Sequence, residues 1–193
     1  NNNIWVGTYD EGLFILNKET RETVNLKKEN DCDDCISANS IDQLTRDKQG
    51  NMWLATQGGG VCVYSPQRKS IQKFAKDIEP NNQNFSIISS FYTNNKNELY
   101  ITTDGGGIFK FNDNGKFEKN ITSKDGLSSN FVISSAEVSS EEIGFGSWNG
   151  GLSILNTKTD KIINYKYDNK AKGFKNNHVL HVFHDRQRGK IYL

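Results

Sequence analysis

Cysteine and histidine side chains offer this chain its clearest potential for metal or redox chemistry. Cys32 and Cys35 enclose Asp33-Asp34, a spacing typical of metal-binding and redox pairs. A structural zinc site needs about four ligands, and Cys62 stands alone in a predicted strand with no second pair. Thioredoxin-like chemistry would need a surrounding βαβ pattern, which the sequence lacks. We therefore predict a local disulfide or two loop thiols for the pair, and a small core residue for Cys62.

The three histidines follow one another at intervals of three residues. His178, His181 and His184 fall on or beside a segment, Val179–His184, that we predict to be a strand. On a strand, His178 and His184 share one face and His181 points to the other. The spacing therefore does not favour a metal site, and the sequence predicts neither a metal nor a cofactor.

Motifs for nucleophilic or phosphoryl chemistry are absent from the sequence. The glycine runs at 58–60 and 105–107 are followed by no Gly-Lys-Ser/Thr and no predicted helix, so we interpret them as hairpin turns. No Gly-x-Ser-x-Gly elbow occurs, and the carboxylate pair Glu141-Glu142 lies in a predicted turn. The sequence therefore predicts a chain that is not an enzyme.

Charge and composition limit the partners of the chain. Its 193 residues carry 24 basic and 23 acidic side chains, for a net charge of +1, so nucleic acid is not an expected partner. No apolar stretch approaches the roughly 20 residues that span a bilayer. Seventeen glycines against two prolines indicate many short strands joined by tight turns.

An internal repeat is the strongest feature of the sequence. Its copies share an apolar strand, a polar turn and a glycine that begins the next strand, and they cover residues 4–13, 52–61, 99–108 and 143–152, with a fifth beginning at 191. The anchoring glycines Gly12, Gly60, Gly107 and Gly151 are 48, 47 and 44 residues apart. A strand-rich period of about 40–50 residues is typical of a β-propeller blade.

Each period divides into four short strands, which we call A to D. In the second period they are Ile41–Thr45, Met52–Thr56, Val61–Tyr64 and Ile71–Phe74. Further A strands are predicted at Ile87–Thr93, Val132–Val138 and Val179–His184, and further C strands at Ile108–Phe111 and Leu152–Leu155. The predicted fold is all-β, a β-propeller of four-stranded antiparallel blades with about four repeats present.

Large rings recur at one position of strand B. Trp5, Trp53 and Tyr100 occupy it in the first three copies, and we expect them to pack between neighbouring blades. Gly144 stands at this position in the fourth copy. A neighbouring side chain is therefore expected to fill the space there.

These repeats resemble the two-component regulator propeller repeat. The resemblance rests on the segment from Ile41 to Val61, which contains Asp47-Lys48-Gln49-Gly50 and an aliphatic-Trp-aliphatic strand. It also rests on Ile4-Trp5-Val6-Gly7-Thr8 and on Gly126-Leu127-Ser128-Ser129-Asn130. The third and fourth copies depart from it, with 94–97 and 139–142 replacing Asp-x-x-Gly.

The resemblance implies a periplasmic sensor region of a Bacteroidetes-type hybrid two-component histidine kinase. Such sensors commonly detect oligosaccharides and act on a kinase elsewhere in a membrane-anchored parent protein. The chain begins and stops within strand B of a repeat. We therefore expect residues 1–193 to be part of a propeller of about seven blades (about 330 residues). The expected partners are the remaining blades or another copy of the chain.

A ligand is expected where the B–C turns meet the segments leading into strand A, since these share one face of a propeller. Aromatic rings there could stack on sugars, while amides and carboxylates could bond hydroxyl groups. The predicted ligand-binding residues are Tyr9, Asp10, Gln57, Asp104, Trp148 and Asn149 from the turns, with Asn39, Asn84, Asn130 and Asn177 from the A-strand leads. Asparagine and aspartate are also ordinary turn residues.

The sensor hypothesis leaves two alternatives open. One is a non-catalytic propeller for protein interaction or dimerisation, without a small ligand. The other is a propeller polysaccharide lyase, which would need a central acid/base set such as His with Arg, Lys or Tyr. Only the last repeat contributes histidines.

Overall fold

A computed structural model describes residues 3–30, 32, 34–75, 78, 85–167 and 175–193. These residues form short antiparallel strands and contain no α-helix. None of their helical segments is long and apolar enough to cross a membrane. The chain divides into two compact units, an N-terminal unit (Asn1–Ile88) and a C-terminal unit (Ser89–Leu193).

The N-terminal unit contains two sheets. The first sheet has three strands in the order β1-β2-β3, and the second has four in the order β4-β5-β6-β7. Their bounds are β1 Asn3–Gly7, β2 Leu13–Asn17, β3 Thr23–Leu26, β4 Ile41–Arg46, β5 Met52–Thr56, β6 Gly60–Ser65 and β7 Ser70–Lys73.

The C-terminal unit carries two four-stranded sheets, β8 to β11 and β12 to β15, and a two-stranded sheet, β16-β17. A short 3₁₀ turn, Ser123–Asp125, follows β11. The strand bounds are β8 Ile88–Thr93, β9 Leu99–Thr103, β10 Gly107–Phe111, β11 Phe117–Ile121, β12 Val132–Ser139, β13 Glu142–Ser147, β14 Gly151–Asn156, β15 Ile162–Tyr165, β16 Phe183–Asp185 and β17 Lys190–Tyr192.

Every complete sheet is a meander in which chain neighbours are also spatial neighbours. Its four strands are the predicted A, B, C and D strands of one repeat, and the first sheet supplies B, C and D. The register returns at the same phase, since the residue before each B–C turn pairs with the glycine that begins strand C: Thr56 with Gly60, Thr103 with Gly107 and Ser147 with Gly151. The prediction of repeated four-stranded antiparallel blades is confirmed.

The cores of the two units lie between successive sheets. In the N-terminal unit, Leu13, Ile41 and Leu54 are buried in one cluster, with Trp5 and Tyr64 packed at its margin. In the C-terminal unit a larger cluster joins the sheets at β9 and β13, around Tyr100 and Phe145. No single thin sheet could bury these side chains alone, so each repeat depends on its neighbour.

Two of the recurrent rings of strand B, Trp5 and Tyr100, pack against the next sheet as predicted. Trp5 lies 5.0 Å from the ring of Tyr64 on the next sheet, measured between centroids. Tyr100 is buried and lies 6.4 Å from Phe145 on the next sheet. Trp53 contacts Phe74, which follows β7 of its own sheet, at 4.9 Å.

The expected filling at Gly144 is also found. A Cβ built there would lie 3.0 Å from Val138 Cγ2 and 3.5 Å from both Leu152 Cδ1 and Val182 Cγ1. These three aliphatic side chains occupy the space that a ring takes in the other copies. Glycine at this position therefore reflects packing from neighbours rather than a gap.

The last predicted A strand is shorter than expected. We predicted Val179–His184, but β16 covers Phe183–Asp185, because β17 pairs with those three residues alone. The preceding segment packs instead on β14: Val179 and Val182 are buried with Leu152, and the backbone N–H of Val179 donates to Ser147 O at 3.1 Å. The assignment of His181 and His184 to opposite faces of one strand is therefore wrong.

Candidate functional site

The B–C turns of the four repeats share one side-chain hydrogen bond. A hydroxyl before each turn donates to the carbonyl of the glycine after it. The four hydrogen bonds are Thr8 Oγ1 to Gly12 O (2.8 Å), Thr56 Oγ1 to Gly60 O (2.8 Å), Thr103 Oγ1 to Gly107 O (3.0 Å) and Ser147 Oγ to Gly151 O (3.0 Å). We call these four hydrogen bonds the frame bonds, and together they make up the frame. The side chains between the hydroxyl and the glycine can differ from turn to turn without changing the frame.

Each turn is also tied to the segment that leads into the next strand A. The glycine N–H donates to a backbone carbonyl of that segment. These bonds are Gly12 to Asn39 (2.9 Å), Gly60 to Ser86 (3.0 Å), Gly107 to Asn130 (2.9 Å) and Gly151 to Asn177 (2.8 Å). The turns and the A-strand leads thus lie side by side in each unit.

Three of the predicted ligand residues hold the preceding loop through their side chains. Their Oδ1 atoms accept backbone N–H groups from residues that follow strand D: Lys28 to Asn39, Ser123 to Asn130 and Tyr167 to Asn177, each at 2.7 Å. Each asparagine thus bridges a turn and a loop. A ligand could still reach the side-chain NH2 groups of these asparagines, but their Oδ1 atoms already accept backbone N–H groups of the loop. Asn84 lies outside the described residues.

The loop that Asn130 holds is fixed by a capping box. The Asp125 carboxylate accepts the backbone N–H of Thr122 at 2.8 Å and its hydroxyl at 3.0 Å. These bonds hold the pKa of Asp125 below its usual value. These bonds therefore favour the charged form of the carboxylate, and they close the turn.

Replacing Asn130 by alanine is expected to lower the free energy of unfolding by about 0.5–1 kcal/mol, because the exposed Ser123 N–H loses its protein partner to water. Asn130→Asp keeps an acceptor oxygen and is the matched control, with an expected loss of less than about half of that. Urea denaturation followed by circular dichroism measures both. Equal losses would mean that the side-chain bond does not hold the loop.

In the N-terminal unit, Ser40 connects the predicted residues. Its hydroxyl donates to Tyr9 O, and its carbonyl accepts the Gln57 N–H at 3.0 Å. Tyr9 is 75% exposed. The Gln57 amide donates to Asp42 Oδ1 at 2.8 Å. Tyr9, Asn39 and Gln57 therefore belong to one edge, with the exposed Asp10 beside Tyr9.

In the C-terminal unit, the predicted residues form a second strip. Asp104 pairs with Phe131 in an isolated bridge, and Phe131 O accepts the Trp148 N–H at 2.9 Å. The Trp148 ring lies 4.8 Å from the His178 ring, between centroids. Asn149 follows in the same turn with φ of 67°. Asp104, Asn130, Trp148, Asn149 and Asn177 are therefore brought together.

Two exposed rings of this strip were missed by the sequence analysis. Phe131 is 51% exposed and His178 is also exposed. Each follows the asparagine of an A-strand lead, where an apolar or aromatic residue suggests the start of a buried strand. The turn residue and the residue after the lead form what we call a rim pair: Tyr9 with Ser40, Gln57 with Ile87, Asp104 with Phe131, and Trp148 with His178.

The cysteine pair forms a disulfide. Cys32 and Cys35 are bonded, with their Cα atoms 5.5 Å apart. Glu29 lies close to both sulfurs, but sulfurs joined to each other cannot act as thiolate ligands. Cys62 is a buried free thiol, as predicted, and it accepts the Ser37 N–H at 3.3 Å.

Comparison with solved structures shows the β-propeller fold. The chain is similar to the extracellular domains of two B. thetaiotaomicron proteins described as hybrid two-component systems, BT3049 and BT4673. The match to BT3049 has a TM-score of 0.80 and 20% identity, and it covers 98% of this chain and 25% of that one. The match to BT4673 has a TM-score of 0.79 and 18% identity, and it covers 99% of this chain and 24% of that one. It thus spans about a quarter of their length. It is also similar to an inactive H270A virginiamycin B lyase from Staphylococcus aureus with quinupristin (TM-score 0.63, 14% identity, 89% and 54%). The fold therefore occurs in an enzyme as well.

Comparison of the sequence with protein-family models identifies the family of this chain. No curated protein matches the chain. A family model described as photosynthesis system II assembly factor YCF48 matches residues 27–155. Since this match covers more than half of the chain, from the loop after β3 to β14, the chain belongs to that YCF48 family of repeat proteins.

Proposed function

We propose that the chain is part of the extracytoplasmic, ligand-sensing propeller of a two-component signalling protein. It would belong to the two-component regulator propeller repeat group, with residues 1–193 forming part of a propeller of about seven blades. The parent protein would be membrane-anchored and would carry the ligand signal from the periplasm to a histidine kinase. The fold likeness to extracellular domains of proteins described as two-component systems supports this proposal.

The observation that carries the proposal is the combination of a fixed frame with variable, exposed rim pairs. The frame bonds recur at nearly equal lengths in four repeats, whereas the rim pairs range from Tyr9 with Ser40 to Trp148 with His178. Tyr9, Phe131 and Trp148 are all at least half exposed. A folding role would not require large exposed rings in these turns, whereas a recognition surface does.

The chemistry of the rim pairs suits an oligosaccharide. The rings of Trp148 and Phe131 offer faces for the C–H patches of a sugar. Asp104 and Asn149 lie in the adjoining turns and can accept or donate hydrogen bonds to hydroxyl groups. We assign no catalytic role to the rim and propose that it binds its ligand without changing it.

Calorimetric titration with a panel of glycan-derived oligosaccharides tests this proposal. Saturable binding without product is expected, and Trp148→Ala should weaken it about tenfold, the equivalent of one lost ring contact. Gln57→Ala should lower the binding affinity of any ligand that reaches the N-terminal unit. The control is Phe117→Ala, an exposed ring at the other end of its sheet, where Phe117 pairs with Phe111.

The other outcomes assign the chain differently. Cleavage of the oligosaccharide would favour the polysaccharide lyase. Absence of binding across the panel would favour the protein-interaction platform. Equal affinity of the wild type and Trp148→Ala would remove the rim of the C-terminal unit from the site.

A further inference from the structure

Three side chains that can ligate a metal ion converge in the loop after β3. The Sγ atoms of Cys32 and Cys35 and a carboxylate oxygen of Glu29 all lie within 4.8 Å of one another. The two sulfurs are joined as a disulfide. The oxidised loop therefore offers a metal ion the carboxylate but no thiolate.

The loop is closed at its neck by a bond that does not involve sulfur. Residues 28–39, which we call the cysteine loop, begin and end at a hydrogen bond from the Lys28 N–H to Asn39 Oδ1 (2.7 Å). Asn39 O in turn accepts the Gly12 N–H at 2.9 Å. Glu29 directly follows Lys28, so its backbone stays anchored when the disulfide is reduced.

The end of the loop that follows the cysteine pair has an anchor of its own. Ile36, next to Cys35, is 2% exposed and belongs to the core cluster of the N-terminal unit. Ser37 donates its backbone N–H to Cys62 Sγ at 3.3 Å, and its hydroxyl lies 3.0 Å from the same sulfur. Cys35 therefore stays beside the core when the disulfide is reduced.

The loop between β11 and β12 of the C-terminal unit is anchored in the same way and contains no cysteine. There Asn130 Oδ1 accepts the Ser123 N–H at 2.7 Å, Leu127 is buried, and the Ser128 hydroxyl lies 2.8 Å from Ser153 Oγ. A loop of this kind therefore folds without a disulfide, which indicates that the cysteine pair serves something other than the shape of the loop.

The three converging groups match the ligands that zinc prefers. In a tetrahedral zinc site with two sulfurs and a carboxylate oxygen, neighbouring ligand atoms lie about 3.5–3.8 Å apart, and two cysteines separated by two residues are a typical zinc pair. Small shifts of Cys32, Cys35 and Glu29 reach these separations. The cysteines are half-buried and Glu29 is exposed, so a reductant and an ion can reach them. Among the described residues, none forms an ion pair with Glu29.

We propose that reduction of the disulfide converts the cysteine loop into a zinc site, formed by the Cys32 and Cys35 thiolates and the Glu29 carboxylate. A dithiol reductant supplies two electrons: the S–S bond of the loop breaks, two thiols form in the chain, and the reductant becomes a disulfide. Zn²⁺ then displaces the two thiol protons, which pass to solvent. Water takes the fourth position of the tetrahedron. The cysteine loop thus exchanges a disulfide for a bound metal ion.

Zinc titration of the oxidised and the reduced 193-residue chain tests this proposal. The chain is reduced with dithiothreitol, separated from it without oxygen, and titrated with Zn²⁺ against a chromophoric chelator. The reduced chain should bind a single ion at least about a hundredfold more tightly than the oxidised chain, with release of about two protons at neutral pH. Co²⁺ in place of Zn²⁺ should give a thiolate-to-cobalt charge-transfer band in the near ultraviolet.

Variants of the reduced chain locate the ion. Glu29→Gln should weaken zinc binding about tenfold, because the carboxylate is lost while both thiolates remain. Asp34→Asn removes an exposed carboxylate of the same loop that lies outside the converging group. It is the matched control and should change the affinity less than about threefold. Cys62→Ser introduces the hydroxyl that Ser153 has in the C-terminal unit and should leave zinc binding unchanged.

Any one of three results would overturn the proposal. The first is equal zinc affinity of the oxidised and the reduced chain. The second is equal zinc affinity of the Glu29→Gln and Asp34→Asn variants. The third is a cobalt complex of the reduced chain that lacks the thiolate band. None of these measurements depends on oligosaccharide binding at the rim, so this proposal and the proposed function fail separately.

Discussion

Replacing Gly107 by alanine is expected to lower the free energy of unfolding of the C-terminal unit by about 3–4 kcal/mol. Its φ of 78° costs a side-chain-bearing residue about 1–2 kcal/mol. The added Cβ would also lie 2.3 Å from the backbone oxygen of Ile121. Because Ile121 pairs with Ile108, β10 and β11 would have to separate at this point. Urea denaturation followed by circular dichroism measures the loss.

Gly126→Ala separates the steric cost from the conformational one. Gly126 also has a positive φ, 99°, but no heavy atom lies within 4 Å of a Cβ built there. Gly126→Ala should therefore lower the free energy of unfolding by about 1–2 kcal/mol, because only the positive φ is unfavourable for alanine there. If both variants lost the same amount, the close approach at Gly107 would not limit the sequence.

The same close approach explains the glycine spacing from which the repeat was recognised. A Cβ at Gly12 would lie 2.3 Å from Leu26 O, and one at Gly151 would lie 2.2 Å from Tyr165 O. In each case strand C begins against the end of strand D. At Gly60 the nearest atom is Phe85 O at 3.4 Å, so this contact does not explain every glycine of the series.

Strand positions that depend on local pattern were predictable from the sequence. Strand β5 was predicted to the residue, since Met52–Thr56 is an apolar run between two turns. The segment Val179–His184 has a similar apolar pattern, but a strand also needs a partner. The buried Val179 and Val182 are three residues apart, a spacing that the alternation of a strand does not give.

Which candidate residues lie next to one another was predictable, but their hydrogen bonds were not. The sequence placed Asn39 beside a turn, and the structure agrees. Its bond to the Lys28 N–H joins residues 11 positions apart, and no local pattern reveals such a contact. Phe131 was missed because an apolar residue at the start of a strand usually faces the core. The disulfide was left open because cysteine spacing alone does not fix side-chain geometry.

Removing the charge of Lys110 is expected to have the second large effect. Lys110 Nζ lies 2.8 Å from Glu98 Oε1 and 2.9 Å from Glu118 Oε2, and the Lys110 side chain is only 12% exposed. Burial acts to lower the pKa of Lys110, but hydrogen bonds to the two carboxylates raise it overall. Lys110→Met keeps most of the unbranched apolar stem and leaves Glu98 without the Lys110 cation. We expect a loss of about 2–3 kcal/mol at pH 7.

An exposed ion pair of the same unit provides the control. Lys119 Nζ lies 2.8 Å from Asp160 Oδ2, with side chains 38% and 60% exposed. Water screens this pair, so Lys119→Met should cost less than about 0.5 kcal/mol. The difference between the two methionine variants isolates the effect of burial from that of an ion pair as such.

The loss in Lys110→Met is expected to shrink in acid. Burial alone would raise the pKa of Glu98, but hydrogen bonds from Lys110 and Asn94 hold it below its usual value. The stabilisation contributed by the charged Glu98 is therefore complete above the pKa of Glu98 in the unfolded chain, about 4.3. It declines as the pH falls through the lower pKa of Glu98 in the folded chain. In the variant, fewer hydrogen bonds offset the cost of burying the charged Glu98 carboxylate. Protonation of Glu98 therefore removes part of the destabilisation of the folded variant. Urea denaturation at pH 7 and at lower pH should show the gap between wild type and variant narrowing as the pH falls through the folded pKa of Glu98. A constant gap would mean that packing of the aliphatic stem, rather than the charge network, stabilises this sheet.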